Sequence, residues 1–440
     1  MLDFLFFYEH VNREVENDIL VINELEKRGY VCELMPFDGP EYWKKVLFRK
    51  RAKVLVTPWL RTNTNIKHFS YLGNKPLKFA DLQWEQVSTK GIRESGIFSI
   101  QTDALKALHM CWGEATKSIL LNDGGREELL PVVGALQQDF SRKEFNDYYL
   151  SRNQIAGQYR LNADIPWILY ISSFSMANVT DKYVGDLVSK YGHYFLEERQ
   201  INVESQNKTI EWIKEYISNH KCEFIYRPHP TESTSLIIKD VADNFSNFHI
   251  ISDYSVKQWG KVCNKVNLWI STSNAELLSM GINYGIVRPI PIPPEFEIES
   301  MIGEKYITTL DQFIEFNEDQ TINEPTEDRL QRVFHYYDFN KTFPAYKRIA
   351  NALEKAINSD DRTIYLFDKE QIKKSRRIFI RTCVFSFWIW LDIKSERMID
   401  IIPIKKTWKD IIHKKSKEYK EGKRVENKTR EYLKIHESEF

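Results

Sequence analysis

Two stretches, "CEFIYRPHPTES" (Cys222–Ser233) and "VNLWISTSNAELLSMGINYG" (Val266–Gly285), decide how this chain reads. Each is a short apolar run that gives way to polar residues. Strands buried on both faces of a parallel sheet read as continuous apolar runs. In "YRPHP", a proline disfavours helical backbone for the residue before it, so Pro228 and Pro230 keep Arg227 and His229 extended. Positions i and i+2 of an extended chain share a face. Arg227 and His229 are therefore expected to project together from a strand end, one offering a fork of donors to phosphate and the other a further donor. In the second stretch the strand is expected to end at Ile270. Ser271, Thr272, Ser273 and Asn274 would then open a helix, where backbone N–H groups and the helix dipole attract anions. Ser273 and Glu276 also have the S-x-x-E spacing of a capping box. A carboxylate repels phosphate but suits sugar hydroxyls, so the ribose of a nucleotide is the expected partner of Glu276. Gly281 and Gly285 are expected to close this helix and the turn into the next strand.

The same alternation extends outward in both directions. "FLFFY" reads as a first strand, followed by Val15, Ile19, Ile22 and Leu25 at helical spacing and by Gly29 as a stop. "YVCELMPF" and "KVLVTPW" read as the next strands. "GIFSI", a helix around Asp103–Trp112 and "ELLPVVGA" continue the pattern to about residue 140. Phe140–Asn162 is polar and reads as a linker. A second series begins at "IPWILYISSF" (Ile165–Phe174) and runs through a helix near Thr209–Ser218, "CEFIY", "FHIIS", "VNLWI", a helix over Ala275–Met280 and "GIVRPI". The expected architecture is α/β: two Rossmann-like parallel-sheet domains facing a cleft, at 1–145 and 165–360, joined by 146–164. A basic, aromatic extension follows at 361–440. Sheets of this kind bind ligands beyond the carboxyl ends of their strands.

The extension opens with "KKSRRIFIRTCVFSFWIWLDI", a basic cluster before an aromatic run too short to span a bilayer. From Lys405 to Lys434 it holds 12 basic and 5 acidic residues, so it is expected to face solvent or anionic lipid. The aromatic run Phe379–Leu391 is expected to form a helix that packs back across the N-terminal domain, with an interfacial membrane position as the alternative. Formal net charge is zero, and no nucleic-acid module is recognisable, so nucleic acid is not an expected partner. The five cysteines form no C-x-x-C and read as unpaired thiols of a reducing compartment. The apolar start carries Asp3 and Glu9 and reads as a strand rather than a signal peptide. The expected location is cytoplasmic, with peripheral contact at the inner face of the plasma membrane through the extension. D-x-D, H-E-x-x-H, G-x-G-x-x-G and G-x-x-x-x-G-K-[ST] are all missing, so no metal or dinucleotide cofactor is expected.

"YEHVNRE" (Tyr8–Glu14), "LQWEQV" (Leu82–Val87), "CWGEATK" (Cys111–Lys117), "RPHP" and "STSNAELLSMG" (Ser271–Gly281) occur in this order. Together they resemble bacterial surface-carbohydrate biosynthesis proteins, GT-B glycosyltransferase-like relatives of capsule sialyl- and Kdo-type transferases and of glycerol- or ribitol-phosphate polymerases. The resemblance implies that His229 and Ser271, Thr272 and Ser273 hold the phosphate of a CMP-, CDP- or UDP-linked donor. It also implies an acceptor that is a polysaccharide or is lipid-linked. An inverting transfer needs a base for the acceptor hydroxyl. Glu85 is the expected base, because the apolar "FADLQW" before it should desolvate the carboxylate and raise its pKa. Glu14 and Glu114 are rivals, and Arg13 with Glu14 could equally form an internal ion pair. Two other readings keep the fold: a non-hydrolysing nucleotide-sugar epimerase, and a polysaccharide-assembly component without activity.

Overall fold

A computed structural model describes residues 2–96, 99–100, 103–319, 325–340, 342–359, 366–367 and 376–437. The chain forms two compact units. Unit 1 combines Met1–Gln86, Ser99–Asp139 and Tyr337–Phe440, and unit 2 combines Val87–Phe98 and Phe140–Tyr336.

Unit 1 is built on β1 (Leu2–Tyr8), β2 (Cys32–Pro36), β3 (Ala52–Thr57), β4 (Gly73–Asp81) and β5 (Leu108–His109), all parallel, in the spatial order β2-β1-β3-β4-β5. Leu366–Phe367 adds a short antiparallel strand along the middle of β4, opposite Leu77 and Lys78. Phe4, Leu5, Phe6 and Phe7 are fully buried, as the apolar run of β1 requires of a central strand. The helix Glu16–Lys27 that follows ends at Gly29, whose φ of +89° is open to glycine without strain. In this strand order the sheet reverses direction of growth between β1 and β3, and the loops leaving their carboxyl ends diverge there.

Unit 2 carries β6 (Trp167–Ile171), β7 (Glu223–Arg227), β8 (Phe248–Ile250), β9 (Lys265–Leu268), β10 (Gly285–Val287) and β11 (Tyr306–Ile307), also parallel, in the order β8-β7-β6-β9-β10-β11. Numbered within the unit this is 3-2-1-4-5-6, the doubly wound dinucleotide-fold order, with its switch point between β6 and β9. At Gly285 an added Cβ would lie 2.6 Å from Ile307 Cδ1, so this glycine admits the close approach of β11 rather than making a turn.

Several expectations are corrected. The helix expected around Asp103–Trp112 is a single 3-10 turn, Ala104–Lys106, followed by β5. "ELLPVVGA" forms no strand, only an isolated bridge between Val132 and Cys111. Ile97 and Phe98 of "GIFSI" lie outside the described residues, and the fourth strand is Gly73–Asp81 instead. The expected linker belongs to unit 2 and contains the helix Arg152–Tyr159, with Ile155 buried. From Tyr337 the chain returns to unit 1, so residues 337–359 and the extension do not form the separate regions expected.

The extension forms helices Arg376–Lys394, Glu396–Ile401 and Lys406–Ile435. One face packs on the rest of unit 1. Ser386 Oγ donates to Gly39 O at 2.6 Å and accepts from Trp43 N at 3.2 Å, and Phe379 stacks on Tyr71 at 4.2 Å. Arg430 pairs with Glu26 at 2.9 Å. A Cβ on Gly422 would run into the Tyr8 hydroxyl, so the long helix lies directly on the end of β1. No helix among the described residues is long and apolar enough to cross a membrane.

In unit 2, the helix Tyr194–Asn219 places Glu198 where burial pushes its carboxyl up to about 7. Its Oε2 has no hydrogen-bond partner among the described residues. A carboxyl raised in the folded state favours folding while it is protonated. That contribution is complete below the ordinary value of 4.5 and is lost as pH rises through about 7. Glu198→Gln should therefore raise the melting temperature above pH 7 and leave it almost unchanged below pH 4.5, as checked by melting across a pH series.

Candidate functional site

The two stretches that decide the fold end up on either side of β6. His229 follows β7, Ser172 and Ser173 follow β6, and Ser271–Ser273 follow β9. Neighbouring strands lie about 4.8 Å apart, so the ends of β7 and β9 are separated by about 10 Å, with β6 between them. This is the carboxyl edge, at the switch point, where open α/β sheets bind ligands.

The loop after β7 is held by Glu232, which the sequence reading did not single out. Glu232 Oε1 accepts from the buried Tyr226 hydroxyl at 2.6 Å, and Oε2 accepts from Ser172 Oγ at 2.6 Å and from His229 N at 3.3 Å. Burial pushes this carboxyl up, outweighing the hydrogen bonds that favour its charged form. The His229 side chain is exposed. Its Nδ1 accepts from Thr231 N at 3.2 Å and lies 2.8 Å from Thr231 Oγ1. A backbone amide only donates, so the neutral ring carries its proton on Nε2. The loop thus presents an imidazole donor in a fixed tautomer.

Arg227 does not join it. Its guanidinium donates to the carbonyls of Ser252, Asp253 and Tyr254, the first two at 3.0 and 2.9 Å. The expected phosphate contact is corrected to a clamp on the loop after β8. Tyr254 sits there at φ +64°, a conformation that persists only where surroundings over-determine it. Burial lowers the guanidinium pKa to about 10, which still leaves it charged at neutral pH.

At the end of β9 the strand stops at Leu268, two residues earlier than expected. Ile270 N donates to Ser173 Oγ at 3.2 Å, tying the two loops of the switch point together. The helix Ser273–Ser279 has Thr272 as N-cap with no side-chain cap bond, so the expected Ser273/Glu276 capping box is not formed. Ser273 N donates instead to Ser271 Oγ at 3.2 Å. Ser271 and Ser273 are half-buried and Thr272 is exposed. Asn274 is fully buried, and its Oδ1 accepts from Ala275 N at 2.8 Å, which removes it from the expected ligand set. Glu276 faces the buried Lys257 ammonium at 3.6 Å, a partner the ribose expectation did not include. The signals that could have found Ser172, Ser173 and Glu232 are the paired serines after "WILYI" and the acid after "RPHP".

In unit 1 the carboxyl edge carries a second polar cluster. The five residues Val11–Val15 form a π-helical turn, a feature frequent at functional sites. Within it, Glu14 is fully buried and accepts from Glu9 N at 2.6 Å, His10 N at 3.2 Å and Arg13 Nη2 at 2.7 Å. Burial raises its pKa, against the opposing pull of Arg13. The Arg13–Glu14 pair is thus internal, and burial removes Glu14 as a rival base. Glu114 is exposed in the first turn of the helix Glu114–Asn122, where the dipole accounts for an acid. Glu85 is paired with Arg61 at 3.1 Å and with Arg13 at 3.5 Å. Burial pushes its carboxyl up, but Arg13 and Arg61 outweigh that and hold it below the ordinary value. The raised pKa expected from "FADLQW" is therefore corrected, because two guanidiniums supply more than desolvation removes. His10, also missed, stays neutral, with burial and then Arg13 lowering its pKa to about 4.

No protein-family model matches the chain, and no curated protein matches it. Among solved structures the chain is similar to Methanocaldococcus jannaschii UDP-GlcNAc 2-epimerase in complex with UDP-GlcNAc and UDP. That match has a TM-score of 0.52 and 14% identity, covering 80% of this chain and 100% of the other. It is also similar to S. aureus MnaA in a co-structure with UDP, with a TM-score of 0.51 and 11% identity, covering 81% of this chain and 97% of the other. The fold is GT-B-like. The wall teichoic acid polymerase TagF aligns with a TM-score of 0.49 and 11% identity, covering 81% of this chain and 89% of the other. The likeness to the first two speaks to the GT-B-like fold alone, two Rossmann-like parallel-sheet domains each with its own switch point.

Proposed function

We propose that the protein is a cytoplasmic glycosyltransferase-like enzyme of bacterial surface-polysaccharide synthesis. It moves a sugar or polyol phosphate from a nucleotide-activated donor to a polysaccharide or lipid-linked acceptor. The observation that carries this reading is that Ser173, Ser271 and Ser273 at the β6/β9 switch point and His229 at the end of the neighbouring β7 share the carboxyl edge of one parallel sheet. Donors held in place before any ligand arrives stabilise charge on a departing phosphate without reorganising. UDP in the two structures named above is consistent with a nucleotide at this edge. Five free thiols agree with a reducing compartment.

In the transfer, the acceptor oxygen forms its bond as the bond to the donor phosphate breaks. The hydroxyl proton passes to a base, and the leaving phosphate takes hydrogen bonds from His229 Nε2–H and from Ser173, Ser271 and Ser273, while Ser172 stays committed to Glu232. Arg227 holds the 252–254 loop in place, and Glu232 holds His229. Glu85 is the proposed base for an acceptor held by unit 1. It gains basicity when a substrate draws off Arg13 or Arg61. The epimerase reading is supported by the same fold in a UDP-GlcNAc 2-epimerase.

The test is thermal shift with CMP, CDP, UMP and UDP. One nucleotide should stabilise the protein, and His229→Ala should reduce that response about tenfold in apparent affinity, the loss of one hydrogen bond to a charged group. A flat response across all four overturns the donor-site reading. Incubation with UDP-sugars and no acceptor separates the two activities, because only an epimerase would invert a C2 centre.

A further inference from the structure

The face of the extension turned away from unit 1 is apolar. Helices Arg376–Lys394 and Lys406–Ile435 enclose a groove of about 520 Å³ between Val384, Phe385 and Trp388 on one side and Ile404, Trp408 and Ile412 on the other. Its surroundings are unusually exposed for such residues. Ile401 is 81% exposed, Ile380 57%, Ile411 46% and Trp408 40%. A contiguous apolar surface of this kind marks an interaction site. The charge around it indicates the partner. From Arg376 to Lys417 the chain holds eleven Lys and Arg against four Asp and Glu. Arg381 and Lys405 line the groove itself, with the Arg381 guanidinium 5.9 Å from the Trp408 ring. Arg381, Lys405, Lys406 and Lys417 make no ion pair among the described residues.

We infer that this groove and its basic rim dock on a membrane surface bearing anionic lipid, with Trp408 and Ile401 entering the headgroup–acyl boundary. Trp is favoured at that depth, and an anionic surface attracts each Lys or Arg brought near it. A protein partner would need acidic groups opposite each unpaired cation, whereas an anionic bilayer supplies them everywhere. The inference is independent of the nucleotide site, and it follows from the face that Ser386 and Phe379 leave uncovered when they pack on unit 1.

The experiment is co-sedimentation of the full chain with vesicles of phosphatidylcholine alone and of phosphatidylcholine with phosphatidylglycerol. Wild type should sediment with the anionic vesicles and not with the neutral ones. Ile401→Gln with Trp408→Gln withdraws two large apolar side chains from the boundary and should weaken binding about tenfold or more. Lys405→Glu with Lys406→Glu should weaken it similarly, as should added salt. Ile401, Lys405 and Lys406 are exposed and Trp408 is 40% exposed, so both variants should keep a cooperative thermal transition, which separates lost binding from lost fold. Equal binding by wild type and both variants overturns the inference. So does failure of wild type to sediment, including the case where light scattering shows a dimer that the apolar variant dissociates.

Discussion

Glu297→Ala is expected to destabilise unit 2 by about 3–5 kcal/mol, the loss typical of an ionised group left alone in a core. Arg288 and Glu297 are 4% and 5% exposed, and their paired hydrogen bonds measure 2.8 and 2.9 Å. The same guanidinium donates to Trp269 O after β9, and Glu297 Oε1 accepts from Ile298 N at 3.0 Å. The pair therefore ties the end of β10 to the end of β9, one strand from the switch point. Removing the carboxylate leaves Arg288 buried, charged and short of acceptors. Replacing both with apolar residues of similar volume, Arg288→Met with Glu297→Leu, should recover most of the loss, because no charge is then buried. The measurement is denaturant unfolding followed by tryptophan fluorescence, fitting the unit 2 transition separately from that of unit 1. A loss below about 1 kcal/mol in Glu297→Ala would place the pair with weak surface bridges.

Glu85→Gln is expected to lower turnover by about 100-fold or more while leaving the fold intact, if Glu85 is the base. Its side chain is 45% exposed, so losing its two ion pairs costs little stability. The two arginines hold the carboxyl below the ordinary glutamate value, so wild-type activity should fall only at correspondingly acidic pH. Arg61→Gln removes part of that restraint. The acid limb of the pH–rate profile should then move to higher pH, a shift that a merely structural Glu85 would not produce. Turnover of Glu85→Gln within a few-fold of wild type would reassign the residue as a charge partner of Arg13 and Arg61.

The parts of the fold legible in the sequence were those in which one kind of signal dominates. β6 is an uninterrupted apolar run and β1 and β7 are built around "FLFFY" and "FIY", which is the pattern of strands buried on both faces of a parallel sheet. β4 escaped because "GNKPLKFAD" mixes a proline and two lysines into a strand whose middle lies against the short Leu366–Phe367 strand. β5 is two residues long, too short for any periodicity. At the site, the placement of "RPHP" and "STS" at strand ends was legible, but the direction of individual side chains was not. Three backbone carbonyls some 25 residues downstream capture Arg227, and no local pattern announces them. Asn274 and Glu276 were assigned from the helix start, yet helical rotation turns one into the core and brings the other to Lys257. The lowered pKa of Glu85 depends on arginines brought from β1 and β3 by the topology, not on its own neighbours in sequence.

Unit 1 draws its strands from the first residues of the chain and its outer helices from the last, with Tyr8 against Gly422 and Gly39 against Ser386. On a ribosome moving at about 5–20 residues per second, the interval between those segments is on the order of tens of seconds. Through that interval the nascent β1 and its following helix lack their covering, while unit 2, nearly continuous in sequence, is ready to fold first. Biogenesis thus proceeds from the middle outward, and a chain stalled or nicked before the last hundred or so residues would display the apolar flank of β1 to chaperones.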